Sequence, residues 1–157
     1  MTTKQTPNSP IGIFDSGLGG LTVLKSLEKI LPNESFIYFG DTAHVPYGTK
    51  SAEMVTLYSQ NIMDFFLKYE TKAVVIACNT ASAVAFQHLK KIYDIPLFDV
   101  VSPSVEYSLK ITKTQKIGVV GTYSTIQSRA YKRMFKDLGD TCTIQEIPCP
   151  LFVPIIE

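Results

Sequence analysis

Apolar residues in this chain come in short runs, each closed by small polar residues and followed by a stretch with helical spacing. The first run, residues 11–14, ends in Asp15-Ser16 and a glycine-rich turn. A helix is predicted from there over 21–31, stopped by Pro32. A second strand is expected at 36–39, closing on Gly40-Asp41 and a loop to Lys50 that carries Pro46 and Gly48. Ser51 suits the N-cap of a helix reaching about Tyr69. Tyr58, Ile62, Phe65, Phe66 and Tyr69 share one face of that helix, which reads as core. Residues 73–77 are small or β-branched, as a buried parallel strand requires. Cys78-Asn79-Thr80 then stands at the turn into a helix expected over 81–93, and 97–101 reads as a fourth strand.

The alternation continues with a helix at 105–111, a strand at 116–122 closing on Gly121-Thr122, a helix at 125–138 and a strand at 143–147. Strand-helix alternation of this kind predicts an α/β fold, with a parallel sheet flanked by helices and right-handed crossovers. The expected organisation is a disordered N-terminus over 1–9, one complete domain over 10–101, and part of a second, similar domain over 102–157. Two strands and two helices are little to cover both faces of a second sheet. The chain also stops on an apolar segment, Leu151 to Ile156, so it reads as cut. The apolar edge so left is expected to promote self-association.

Composition narrows the partners. Of 157 residues, 45% are hydrophobic and 18% charged, which is enough apolar content for a real core. The net charge is +1 with no block of like charge, arguing against nucleic acid or a membrane surface as the main partner. No apolar window approaches the ~18 residues of a membrane-spanning helix, and residues 1–9 do not resemble a signal peptide. A cytoplasmic location is expected. The three cysteines, Cys78, Cys142 and Cys149, form no close pairing pattern and read as reduced thiols. Neither histidine stands in a zinc-like spacing.

A parallel sheet brings its strand ends to one rim, where ligands of open α/β sheets bind. Three polar clusters meet that condition: Asp15-Ser16, Asp41 to Gly48, and Cys78-Asn79-Thr80. A thiol at the start of a helix can have a lowered pKa, and the thiolate is its reactive form. Cys78 reads equally as a small core residue. Asp15 reads alternatively as a turn or cap residue, Asn79 and Thr80 as caps, and Tyr47 as a packed loop aromatic. His44 is expected at the rim.

The set Asp15-Ser-Gly-Leu-Gly-Gly-Leu21, Gly40-Asp-Thr-Ala-His-Val-Pro-Tyr-Gly48 and Ala77-Cys-Asn-Thr-Ala-Ser82, in this order, resembles the glutamate racemases. They belong to the cofactor-independent aspartate/glutamate racemases, and the similarity runs from Pro10 to Glu157. The resemblance implies interconversion of L- and D-glutamate by two cysteines on opposite faces of the substrate, supplying D-glutamate for bacterial peptidoglycan. By that resemblance Cys78 is one catalytic acid/base and Asp15 helps manage its proton. Ser16, Asn79 and Thr80 would hold the substrate, Tyr47 and Gly48 would complete the pocket, and Thr122 and Thr125 would face the cleft from the second domain. Asp15 would also contact substrate. No metal or organic cofactor is implied, and no lysine sits at a strand-end motif to hold pyridoxal.

Such enzymes carry a second Gly-Cys-Thr-His motif that supplies the opposing base. Thr141-Cys142-Thr143 lacks both its glycine and its histidine, so Cys142 and Cys149 read as ordinary residues. Glu157 falls where the family carries a glutamate that assists that histidine. The 157-residue chain alone is therefore expected to be inactive as a racemase. A homodimer setting two Cys78 thiols face to face is an alternative source of the second base. Two other readings are an aspartate racemase of the same superfamily and a non-catalytic remnant that binds a ligand or partner.

Overall fold

The computed structural model describes residues 6–139 and 141–156. Four strands form a parallel sheet in the order β2-β1-β3-β4: β1 (Ile11–Asp15), β2 (Phe36–Gly40), β3 (Ala73–Ile76) and β4 (Leu97–Phe98). A second parallel pair joins β5 (Lys116–Gly121) to β6 (Thr143–Pro148). Between strands lie α1 (Leu21–Ile30), α2 (Ala52–Lys68), α3 (Asn79–Ile92), α4 (Val101–Ile111), α5 (Tyr123–Ser128) and α6 (Ala130–Asp137). A short α7 (Phe152–Ile156) follows β6.

The central strand explains the core. β1 has neighbours on both sides and is buried along its whole length. Gly12 lets the sheet accept α2, because a Cβ there would lie 2.8 Å from the Phe66 ring. Phe66 is fully buried in a cluster with Phe14, Val55, Ile62, Met63, Val74, Ile76 and Leu89. Burying a side chain of that size contributes about 1.5–3 kcal/mol. Tyr58 and Phe65 pack at the edge of this cluster. Tyr69, expected on the same face, is 54% exposed because the helix ends before it and Tyr69 is its C-cap. A second cluster gathers Ala83, Val101, Val105, Val119 and Phe135.

Several boundaries differ from the sequence pattern, each for a local reason. β4 stops at Phe98 rather than Val101 because Asp99 turns the chain. Its carboxylate accepts the Ser102 N–H at 2.6 Å and the Ser102 hydroxyl at 2.7 Å. Helix α4 then starts at Val101, well before 105, with Pro103 tolerated in its first turn. The helix expected over 125–138 is two helices, broken at Arg129, whose φ of 54° is left-handed. Ser128 aids the break: its hydroxyl donates to Thr125 O and accepts from Ala130 N, replacing helical bonds. Residues 6–9 form a turn, with Ser9 N–H donating to Thr6 O at 2.9 Å. Residues 1–5 and Glu157 lie outside the described residues.

Candidate active site

The carboxyl edge of the four-stranded sheet opens into a cleft of about 490 Å³. Asp15 and Ser16 reach it from the end of β1, and Cys78, Asn79 and Thr80 from the end of β3 and start of α3. Thr122, between β5 and α5, lines it from the second sheet. Gly19, Thr22, Val23, Ala77, Val100 and Val153 complete the lining. Of these, Gly19 belongs to the glycine-rich turn and Thr22 to the first turn of α1; Val153, on α7, carries no signal in the sequence.

Cys78 is the N-cap of α3: its Sγ accepts the Ala81 N–H at 3.5 Å. The helix therefore begins at Asn79, two residues earlier than its pattern suggests, and neither Asn79 nor Thr80 caps it. The thiol itself donates to Ser16 Oγ at 3.6 Å. Burial pushes the Cys78 thiol up from its ordinary value, and the neighbouring Asp15 carboxylate pushes it further. Hydrogen bonds from Ala81 and Ser16 pull the other way without prevailing. The lowering that a helix start can give a thiol is outweighed here by burial and by Asp15.

Asp15 is held by Gly17, whose N–H donates to Asp15 Oδ2 at 2.9 Å. Gly20 lets α1 start hard against it, since a Cβ at Gly20 would lie 2.5 Å from Asp15 Cβ. Gly20 is also the N-cap of α1 and offers no side-chain acceptor, so the first amides of that helix turn to backbone oxygens of the preceding turn: Leu21 N–H donates to Leu18 O at 3.0 Å and Thr22 N–H to Gly19 O at 3.2 Å.

The loop after β2 is built on Asp41, which is buried. Tyr47 donates to Asp41 Oδ2 at 2.6 Å, and His44 Nδ1 lies 2.8 Å from Oδ1 and 2.9 Å from Oδ2. His44 stacks on Tyr58 with ring centroids 4.0 Å apart and stays at the rim, 44% of its side chain exposed. Tyr47 is buried in the core cluster and does not line the cleft; burial and then Asp41 push its hydroxyl well above the usual tyrosine range. Gly48 faces the second sheet instead, where a Cβ would lie 2.5 Å from Thr122 Cβ.

Three threonine hydroxyls join the two sheets. Thr80 Oγ1 is 2.9 Å from Thr122 Oγ1 and 3.3 Å from Thr125 Oγ1, and Thr122 and Thr125 are 2.9 Å apart. Thr125 is buried behind this contact rather than in the cleft wall. Ser124 Oγ lies 2.9 Å from both Gly48 O and Lys50 O, tying the loop to α5. Cys142 and Cys149 flank β6 and line no part of the cleft. Among the described residues no group of three His, Cys, Asp or Glu side chains could hold a metal ion. No helix there is long and apolar enough to cross a membrane.

A thiol capping a helix, with a carboxylate and a hydroxyl beside it, thus stands at the carboxyl rim of a parallel sheet in an α/β fold. The family model described as Asp/Glu/Hydantoin racemase matches residues 11–151, and this chain belongs to that family. A glutamate racemase of Geobacter metallireducens is 48% identical over 151 residues, covering 96% of this chain and 56% of that protein. One from Enterococcus faecalis is 48% identical over 147 residues, covering 94% and 54%. The crystal structure of a Bacillus anthracis glutamate racemase isoform superposes with a TM-score of 0.93 at 37% identity, covering 96% of this chain and 57% of that one. The Francisella tularensis glutamate racemase, solved in complex with D-glutamate, gives a TM-score of 0.88 at 42% identity, with coverages of 95% and 56%. The chain spans just over half the length of these relatives.

Proposed function

We propose that this chain carries one half of a glutamate racemase active site, with Cys78 as the acid/base for one face of the substrate. The observation that supports it best is the Cys78 thiol itself, capping α3 beside Asp15 and Ser16 in a cleft of amino-acid size. Family membership and the glutamate racemases among its relatives favour glutamate as the substrate.

Racemisation breaks the Cα–H bond on one face and makes it on the other. A thiolate takes the proton, leaving a carbanion next to the substrate carboxylate, and a thiol opposite supplies the new proton. At any moment one sulfur is protonated and the other is not. The raised pKa of Cys78 fits the protonated partner, which becomes thiolate as it gives its proton to the carbanion. Asp15 and Ser16 then act on the thiolate side of the cycle: Ser16 and Ala81 N–H stabilise the sulfur anion, and Asp15 favours its reprotonation. Asn79, Thr80 and Thr122 offer neutral donors to the carboxylates, beside the start of α3. Tyr47, Gly48 and Thr125 serve behind this surface, holding its loop and its threonine pair in place.

Apart from Asp15 and Cys78, no described residue of the cleft ionises, so the opposing acid comes from protein beyond those residues. We place the division between the two α/β units near residues 101–102, at the first turn of α4, and the protein in a bacterial cytoplasm, where D-glutamate enters peptidoglycan.

The test is deuterium exchange at Cα of L- and D-glutamate in D₂O, with circular dichroism following inversion. Exchange of one enantiomer without inversion, lost in Cys78→Ala, supports a half-site. Exchange of aspartate but not glutamate would move the assignment to an aspartate racemase. No exchange by either the chain or its full-length parent would overturn the racemase reading and leave a ligand-binding remnant.

A further inference from the structure

We infer that Tyr131 is a positioning residue for carboxylate recognition in this cleft, acting through the side-chain amide of Asn79. The inference rests on the racemase reading and adds to it a residue 52 positions from the one it orients.

Asn79 is the first residue of α3 and lines the cleft. The Tyr131 hydroxyl, on α6, donates to Asn79 Oδ1 at 2.6 Å. That separation belongs to O–H···O pairs and is short for N–H···O, so the carbonyl end of the amide faces the phenol. The opposite end, Nδ2, carries two donors and makes no hydrogen bond within the described residues. An untethered amide presents oxygen as readily as nitrogen, and a carbonyl oxygen turned toward a carboxylate repels it. Tyr131 removes that wrong orientation before the ligand arrives, so the cost of ordering the amide is met in folding rather than in binding.

The tether is itself rigid. The Tyr131 ring packs against the cluster of Val101, Val105, Val119 and Phe135, so its position is set by the second sheet. Burial, and then the Asp99 carboxylate, push its hydroxyl up, which keeps it a donor across the neutral range. Orientation matters here because no lysine or arginine among the described residues lines the cleft. Neutral dipoles must meet the anion, and a dipole turned the wrong way is worse than none.

The experiment titrates the full 157-residue chain with L- and D-glutamate, following backbone and side-chain amides by ¹H–¹⁵N NMR. Four variants are compared: Tyr131→Phe, Asn79→Ala, the double variant and Asn79→Asp. In the absence of glutamate, Tyr131→Phe is expected to shift the Asn79 side-chain amide signals. It should weaken binding of both enantiomers about 3- to 10-fold, the weight of one neutral hydrogen bond. Asn79→Ala should weaken binding at least as much, and the double variant should bind no more weakly than Asn79→Ala, since Tyr131 then has nothing to orient. Asn79→Asp keeps an acceptor for Tyr131 but puts an anion where the donors were, and should lose more than 10-fold. Losses from Tyr131→Phe and Asn79→Ala that simply add would overturn the inference. So would binding that Asn79→Ala weakens and Tyr131→Phe leaves unchanged, with the racemase reading intact. A chain that binds neither enantiomer would sink that reading and this inference together.

Discussion

Cys78 Sγ accepts the backbone N–H of Ala81 at 3.5 Å, so the sulfur that faces the cleft also ends α3. One atom therefore does two jobs. As a cap it satisfies an amide that the helix would leave unpaired. As a chemical group it sits where helix amides favour negative charge, against the burial and the Asp15 carboxylate that disfavour it. Its two roles can be separated by substitution.

Cys78→Ser keeps an acceptor at the cap and should leave the melting temperature within about 2 °C of the parent. Cys78→Ala removes the cap, at a cost of about 0.5–2 kcal/mol, and should lower the melting temperature by about 2–6 °C. Both should lose Cα deuterium exchange. Paired calorimetry and exchange measurements check this; exchange surviving in Cys78→Ser would remove the sulfur from the chemistry.

The raised Cys78 pKa also makes a statement about alkaline stability. The folded chain holds this proton more tightly than the unfolded chain, whose thiol titrates near ~8.5. The resulting stabilisation is complete below that pH and is lost as pH rises through the folded value. Tyr47, Tyr93 and Tyr131 shift in the same direction from an ordinary value of about 10, so their loss begins later. Melting temperature should fall between about pH 8.5 and 10 in the parent, and Cys78→Ser should delay that fall to the tyrosine range. A melting temperature that climbs over this interval would contradict the assignment.

Asp15→Asn removes the like charge beside Cys78 while keeping an acceptor for Gly17 N–H. Alkylation of Cys78 by iodoacetamide, read by peptide mass spectrometry against pH, should move to lower pH in this variant. A profile that does not move would show that Asp15 does not act on the sulfur.

Tyr47→Phe deletes the hydroxyl that donates to Asp41 Oδ2 at 2.6 Å. Asp41 is buried and, among the described residues, keeps His44 on its side chain, so the loss should cost about 1–3 kcal/mol. Thermal melts at pH 7 measure it. A cost near zero would mean that the loop after β2 does not depend on this bond.

Gly48→Ala places a methyl 2.5 Å from Thr122, in a contact where both backbones are pinned by Ser124. The loop and α5 must separate, and about 1–3 kcal/mol of destabilisation is expected by equilibrium denaturation. Thr122→Gly in the same chain should recover part of it.

The strands are the most legible part of the molecule, because β1 and β3 are interior strands of a parallel sheet and so carry unbroken apolar runs. The polar clusters after β1 and β3 meet in the cleft for the same topological reason. The cluster after β2 has the residues of a pocket loop, yet Tyr47 turns into the core, its hydroxyl bonded to the buried Asp41. Cys78 as a cap is not legible in the sequence because capping is a habit of oxygen side chains, and without a Ser or Asp there the expected start falls two residues late. The break at Arg129 has no glycine or proline to announce it; Ser128 makes it through its hydroxyl. Tyr131 and Val153 join the site through tertiary distance alone, which no local pattern encodes.

The cleft's reliance on hydroxyls, amides and the start of α3, with no cationic side chain among the described residues of its wall, sets how it responds to its medium. Dissolved ions screen a lysine's field over roughly 8 Å at physiological ionic strength, but they do not reach between a donor and an oxygen already in contact. An acid bound here is gripped at touching range instead of drawn in from afar. Its affinity should change little from dilute buffer to cellular salt, and the cleft should sort acids by the spacing of their oxygens more than by how much charge they bear.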